Sequence, residues 1–247
     1  MATFYIKNNQ IEESHIKITG NDVKHIKQVL RYDVNDIIDV CNEDGIRYKV
    51  QIQKYLENDE IICEIKEIID KKLETPYEIT IFQGIPKSDK MELIIQKGTE
   101  LGVNCFIPVK MERSVVKIND GNENKKIERW NKIASEAAKQ CGRQKLPIVD
   151  SVINFENIIE NISKYDIVLV PYESEQNISI KQVLKSIKGN IASIAIVIGP
   201  EGGFSDNEIN GLVSAGAKVC TLGPRILRTE TAGIATVSMI NYELELL

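Results

Sequence analysis

The sequence predicts an α/β protein, a mostly parallel sheet covered by helices on both faces, with a smaller β-rich domain ahead of it. Three observations carry that reading. Beyond residue 76, short apolar runs alternate with segments of helical period, the pattern of repeated strand–helix units. The apolar runs, 191–198 (IASIAIVI) above all, are nearly continuous, as strands buried on both faces require. Before residue 72 the chain instead reads mainly as strands in which polar and apolar residues take turns.

Taken in order, 48–52 alternates cleanly and 61–69 more loosely, and Asn42-Glu43-Asp44-Gly45 supplies a turn. A short helix is predicted over 22–30, with Val23, Ile26, Val29 and Leu30 on one side and Asn21 or Asp22 as its cap. The polar run 70–76, ending in Pro76, reads as a linker between domains at 1–72 and 76–247. A strand over 77–85 follows, then a helix from a Ser88 cap to Leu101 with Met91, Ile94 and Ile95 inward, ended by Gly102. Next come a strand at 105–109, a helix over 125–141, a helix near 155–162 and a buried strand at 167–170. The remainder reads as a helix over 179–187, the strand 191–198, a helix opened by a Ser205–Glu208 capping box and closed by Gly216, a strand at 219–222, and a final helix from Glu230.

Composition removes several classes of function. Hydrophobic residues make up 43% and charged residues 27%, ordinary for a globular chain. No apolar run approaches the length needed to cross a bilayer, and the polar N-terminus lacks the apolar core of a signal peptide. The five cysteines form no CxxC pair and are odd in number, and His15 and His25 have no partners at ligand spacing. A cytoplasmic protein without a metal is expected. The net charge is −5, yet residues 76–150 carry 13 basic and 10 acidic side chains while both flanking thirds are acidic. That segment is where a phosphate-bearing partner would bind.

Two segments stand out because glycine and proline cluster directly after buried strands. Gly199-Pro200-Glu201-Gly202-Gly203-Phe204 leads into a capped helix, and Leu222-Gly223-Pro224-Arg225-Ile226-Leu227-Arg228-Thr229-Glu230 does the same. Parallel sheets bind ligands at the carboxyl ends of their strands. A lone glycine pair there is ordinarily just a tight turn, but a third loop, Pro171-Tyr172-Glu173, belongs to the same edge. Three such loops predict a pocket.

These motifs carry a specific resemblance. GPEGGFSDNEI followed by LGPRILRTETAGIAT, with KSDKMELIIQKGTELGV at 87–103, ERSVVK at 112–117, EAAKQCGRQKLP at 136–147 and DVKHIKQVLR at 22–31, is similar to the bacterial 16S ribosomal RNA uridine N3-methyltransferase family. The resemblance covers nearly the whole chain. It implies a SPOUT-type methyltransferase domain with a C-terminal trefoil knot, a PUA-like RNA-binding domain before it, S-adenosylmethionine as methyl donor, and a homodimer joined through the knot region. Its substrate would be 16S ribosomal RNA within the small ribosomal subunit. In that resemblance Gly199, Glu201, Gly202 and Gly203 form one cofactor loop, Leu222, Gly223, Ile226, Leu227, Thr231 and Ala232 the threaded one, and Leu169, Val170, Pro171 and Tyr172 the third wall.

The reaction so implied is transfer of a sulfonium methyl to uridine N3. Arg228 is the expected catalytic side chain, a fixed cation beside the developing uracil anion. Glu230 is either the acceptor of the N3 proton or an acidic residue satisfying a helix N-terminus. RNA contacts are expected from Arg31, Lys90, Lys97, Arg113, Lys117, Gln140 and Arg143; Glu136, Gln140 and Arg143 share a face if their helix persists. A knotted 2′-O-ribose methyltransferase is the alternative enzyme, but that class ends in an Asn-rich motif where this chain has Leu-Arg-Thr-Glu-Thr-Ala. A non-catalytic RNA-binding protein is the alternative of a different kind, disfavoured by the intact Arg228 and glycine loops.

Overall fold

The computed structural model describes residues 3–69, 73–116, 120–187 and 189–244. It divides the chain into two compact units, one made of residues up to Glu74 plus Ala138–Leu146, the other of Thr75–Ala137 and Pro147 onward. The predicted division at 1–72 and 76–247 did not anticipate that 138–146 groups with the first unit.

The first unit holds β1 (Thr3–Tyr5), β2 (Ile11–Glu12), β3 (His15–Thr19), a four-residue helix α1 (Asn21–Lys24), β4 (Ile37–Cys41), β5 (Arg47–Leu56) and β6 (Glu60–Ile69). They form one sheet in the order β1-β4-β5-β6-β3-β2, antiparallel except for β1 beside β4. Alternation sets its core: Tyr48, Val50 and Ile52 of β5 turn inward to meet Phe4, Ile16, Ile38 and Ile61. Register shifts between β5 and β6 at Lys49/Val50 and Ile52/Lys54 accompany the looser pattern read at 61–69.

The helix predicted over 22–30 is corrected at both ends. Gly20 takes the cap position, and a π-helical turn (His25–Val29) follows α1. The extra residue in a π turn rotates later side chains, so Val23 and Ile26 stay buried while Val29 and Leu30 are exposed.

The segment 138–146 is tied to its unit by long-range polar bonds. Arg143 Nε donates to both carboxylate oxygens of Glu74 at 2.9 Å, and Glu74 also accepts the backbone N–H of Gln144 and Lys145. Burial alone would raise the Glu74 carboxyl, but Arg143 and these N–H groups bring it below the usual carboxylate value. The Tyr5 hydroxyl donates to the Arg143 carbonyl and the Gln144 amide to the Gly45 carbonyl.

The second unit contains β7 (Glu78–Gly84), α2 (Lys90–Glu100), β8 (Cys105–Lys110), α3 (Asp120–Cys141, whose last turn groups with the first unit), β9 (Ile148–Val149), β10 (Ile153–Asn154) and α4 (Phe155–Asn161). It continues with β11 (Ile167–Pro171), α5 (Ile180–Lys185), β12 (Ser193–Ile198), α6 (Asp206–Ser214), β13 (Lys218–Cys220) and α7 (Thr229–Glu243). All its paired strands are parallel, in the order β10-β8-β7-β12-β11-β13 with β9 beside β8. The continuous apolar runs are explained by two cores. Ile194, Ile196 and Ile198 of β12 face one core with α2, α3, α5 and α7, while Ala195 and Val197 face the other with α4 and α6. The helix expected from a Ser88 cap starts instead at Lys90 behind Asp89, because Ser88 adopts a left-handed φ of 54° and lies in the turn.

Candidate active site

The strand order brings the carboxyl ends of β7, β12, β11 and β13 side by side, and each end releases the chain into a loop. After β12, the Gly203 N–H closes a turn on the Pro200 carbonyl at 2.9 Å. The predicted capping box is present: Glu208 accepts the Ser205 N–H at 2.8 Å, and the Ser205 hydroxyl accepts the Glu208 N–H at 3.3 Å. Glu208, only 4% exposed, has a second task, accepting the backbone N–H of Glu112. That bond holds the 111–114 turn against the glycine loop. Gly202 is required there, since a Cβ would stand 2.8 Å from the Arg113 Cβ and 2.9 Å from its carbonyl oxygen.

The loop after β13 is laced to the one after β11: Tyr172 N–H donates to the Cys220 carbonyl, Thr221 N–H to Ile178, and Ile180 N–H to Thr221. Between the loops lies a cavity of about 340 Å³ whose walls include Pro171, Gly199, Glu201, Gly203, Leu227 and Arg228. A smaller cleft of about 80 Å³ adjoins it, bounded by Tyr172, Leu222 and Gly223, and shares Pro171, Glu173, Ile226, Leu227 and Ala232 with the first. The three loops therefore enclose one continuous depression.

Not every predicted residue reaches it. Leu169 and Val170 are buried in β11 behind the cavity, and Gly202 and Thr231 line neither part. Ile226, predicted as an apolar wall, sits at the lip with 83% of its surface exposed. Arg228 occupies the cap position of α7, its carbonyl accepting the Ala232 N–H. Its side chain has no ion pair among the described residues. Glu230 lies in the first turn of α7, its side chain largely buried.

The largest departures concern the predicted RNA contacts. Lys90 belongs to the cavity: its ammonium lies 2.9 Å from Glu201 Oε1 and 3.4 Å from Glu230 Oε2. Those carboxylates, Glu201 foremost, raise the Lys90 ammonium above its usual value. Burial opposes ionisation of Glu201, but Lys90 and the Lys87 N–H outweigh it and lower its carboxyl. Arg143 is buried against Glu74, because Gly142, at φ 75°, ends α3 before the face shared by Glu136 and Gln140 can continue. Lys97 pairs with Glu100 at 2.8 Å. Arg31, Arg113 and Gln140 are exposed, and Arg113 donates weakly to the Gly202 carbonyl at 3.4 Å. Lys117 lies outside the described residues. Thr229, Phe204 and Glu173 line the cavity without having been chosen from the sequence. Thr229 and Phe204 sit inside the two motifs, but nothing local marks them as inward-facing.

A parallel α/β unit with a loop-built cleft at its strand ends has the architecture of an enzyme that holds a small ligand there. Known proteins make the class specific. Residues 73–241 match the family model described as an RNA methyltransferase domain, and residues 18–66 match an RNA methyltransferase PUA domain. The ribosomal RNA small subunit methyltransferase E of Bacillus subtilis is 41% identical, the match covering all of this chain and 98% of the relative. A small subunit methyltransferase E from Neisseria gonorrhoeae, solved bound to S-adenosyl methionine, aligns with a TM-score of 0.85 at 29% identity over 98% of this chain and 97% of that one. A methyltransferase from Legionella pneumophila in complex with the same cofactor aligns with a TM-score of 0.84 at 28% identity, again over 98% and 97%. The chain belongs to the RNA methyltransferase family, within the group of small subunit methyltransferase E proteins.

Proposed function

We propose that this protein transfers a methyl group from S-adenosylmethionine to N3 of one uridine in 16S ribosomal RNA of the small subunit. The observation that carries the reading is the single cleft enclosed by the loops after β11, β12 and β13, with Arg228 and Glu230 at the start of α7 beside it. The cleft suits the donor. Its volume of about 340 Å³ falls in the range of small-molecule sites, about 300–1,000 Å³. Its charged lining is mixed, Glu173 and Glu201 with Lys90 and Arg228, which suits a donor that itself carries a sulfonium, an ammonium and a carboxylate. When bound, the donor supplies an already activated methyl group.

The chain's own residues then have three tasks. The loops around Gly199, Gly203 and Gly223 offer backbone donors and acceptors, and Leu222 and Leu227 offer apolar cover. Arg228, held at a helix start and free of carboxylate partners among the described residues, stabilises negative charge on O2 or O4 of the uracil. Glu230 accepts the N3 proton. A threaded C-terminal knot belongs to this reading through the family resemblance of the two glycine–proline loops.

We assign the β-rich domain, 1–72, and the exposed Arg31, Arg113 and Gln140 to RNA contact, and 76–247 to methyl transfer. The cytoplasm follows from a ribosomal substrate. A homodimer is supported by an apolar groove of about 580 Å³ lined by Ile180, Leu184, Leu222, Met239 and Tyr242, the last 73% exposed. Mass mapping of small-subunit RNA nucleosides from cells with and without the gene tests the function. Loss of 3-methyluridine at one site is expected; loss of a ribose methyl would assign the chain to 2′-O methylation instead.

A further inference from the structure

Beneath the cavity, a buried hydrogen-bonded chain joins the two segments that the reaction must hold together. Gln83, at the carboxyl end of β7, is 0% exposed, and Thr229, the first residue of α7, is 7% exposed. The Gln83 amide donates to the Gly84 carbonyl at 2.9 Å and to the Thr229 hydroxyl oxygen at 2.9 Å. The Thr229 hydroxyl in turn donates to the carbonyl of Gly199 at 2.6 Å. Each proton in this chain has one place to go. Turning the Gln83 amide over would set its oxygen against the Gly84 carbonyl, so its NH₂ must face Gly84 and Thr229. With its lone pairs receiving Gln83, the Thr229 hydroxyl is left to donate to Gly199. The remaining Gln83 oxygen is buried without a partner among the described residues.

Lys90 links the same two segments on the outside, through Glu201 and Glu230. Its side chain is 28% exposed, so that link is screened by salt. The inner chain is neutral and buried, and salt leaves it intact.

We propose that Gln83 and Thr229 are positioning residues for methyl transfer: their hydrogen bonds fix the Gly199 loop, which holds the donor, against the start of α7, which presents Arg228 and Glu230 to the acceptor base. This inference rests on the functional reading given above. The donor methyl and the acceptor nitrogen are held by different segments of chain, and a misplacement of about 1 Å at such a site costs about a hundredfold in rate. A side-chain tie between backbone Gly199 and the α7 start acts on that distance without touching either reactant's reacting atoms.

The test uses full-length protein and intact small ribosomal subunits lacking the modification. Binding of S-adenosylmethionine by calorimetry, and kcat and KM by labelled-methyl transfer, are measured for the parent, Thr229→Val, Thr229→Ser, Gln83→Met and the Gln83→Met/Thr229→Val double variant. Thr229→Val keeps the shape and removes the hydroxyl. It is expected to lower kcat by about tenfold or more, with KM for the subunit within about twofold. Thr229→Ser, which restores the hydroxyl, is expected to recover parental kcat within about twofold. The double variant is expected to be no slower than the worse single variant, because both break one chain. Parental kcat in Thr229→Val, failure of Thr229→Ser to recover, or multiplicative losses in the double variant would overturn the positioning role. If Thr229→Val does not fold, Gln83→Met carries the decision: it is expected to lower kcat by about tenfold or more, and parental kcat in it would overturn the positioning role. A parent that does not bind the donor at all defeats the functional reading itself, an outcome distinct from the others.

Discussion

Arg228 and Arg143 have the same side chain and opposite fates. Arg228 stands exposed at the cap of α7 without a carboxylate partner among the described residues, so its charge is available to a ligand. Arg228→Met is expected to lower kcat by about a hundredfold, as loss of one preorganised donor to a developing oxyanion does. Donor affinity by calorimetry should change far less than kcat, since Arg228 is one of several residues that wall the cavity. Arg143 is spent on Glu74 within the first unit. Arg143→Met is expected to destabilise by about 3 kcal/mol, because it leaves a buried carboxylate uncompensated. Glu74 also gives that unit a pH dependence of known sign. Its carboxyl is lowered in the folded chain below its ordinary 4.5. The stabilisation is therefore complete above that ordinary value and disappears as pH falls through the lowered one. Urea midpoints between pH 7 and pH 3 should decline more steeply for the parent than for Glu74→Gln, which starts lower and changes less.

Among the elements, the glycine loop after β12 shows how tightly the site is framed. It leaves the sheet at Ile198, turns on Pro200, and enters α6 through the Ser205–Glu208 box. On one side it presses on the 111–114 turn, where Glu208 and the Gly202 contact fix the spacing. Gly202→Ala would push a methyl into the backbone of Arg113, and either the loop or that turn must move. Because the loop wall at Glu201 and Gly203 lines the cavity, the expected result is about a tenfold weaker donor affinity by calorimetry, an order of magnitude set by the cost of misplaced binding groups. Unchanged affinity would mean that the 111–114 turn, and not the loop, gives way. The capping box was legible in sequence because its four residues are neighbours. The pressure of Arg113 on Gly202 was not, because it joins positions on different strands' loops.

At the scale of the whole molecule, an acidic chain is assigned a polyanionic substrate. The basic residues of 76–150 are partly consumed internally, Lys90 by Glu201 and Glu230 and Lys97 by Glu100. Affinity for naked RNA should be modest and fall with added salt. The apolar groove beside α5 and α7 has the character of a surface that another copy covers. Met239→Asp places a charge in it. Sedimentation is expected to show dimers for the parent and monomers for the variant, and a monomeric parent would remove the homodimer from the account.

What the sequence determined by itself was everything written in local pattern. Strand and helix periods, the Ser205–Glu208 cap, the two glycine–proline loops and the motifs of the family are all contiguous in the chain. Tertiary structure alone decided which charges are free and which are used. Lys90 meets Glu201 and Glu230, Gln83 meets Thr229, and Arg143 meets Glu74 across 69 to 146 residues of sequence. Those meetings depend on the order in which parallel strands pair and on where a single left-handed glycine stops a helix. Neither leaves a periodic trace in the residues concerned, because a side chain's partner is set by the path of the backbone between them.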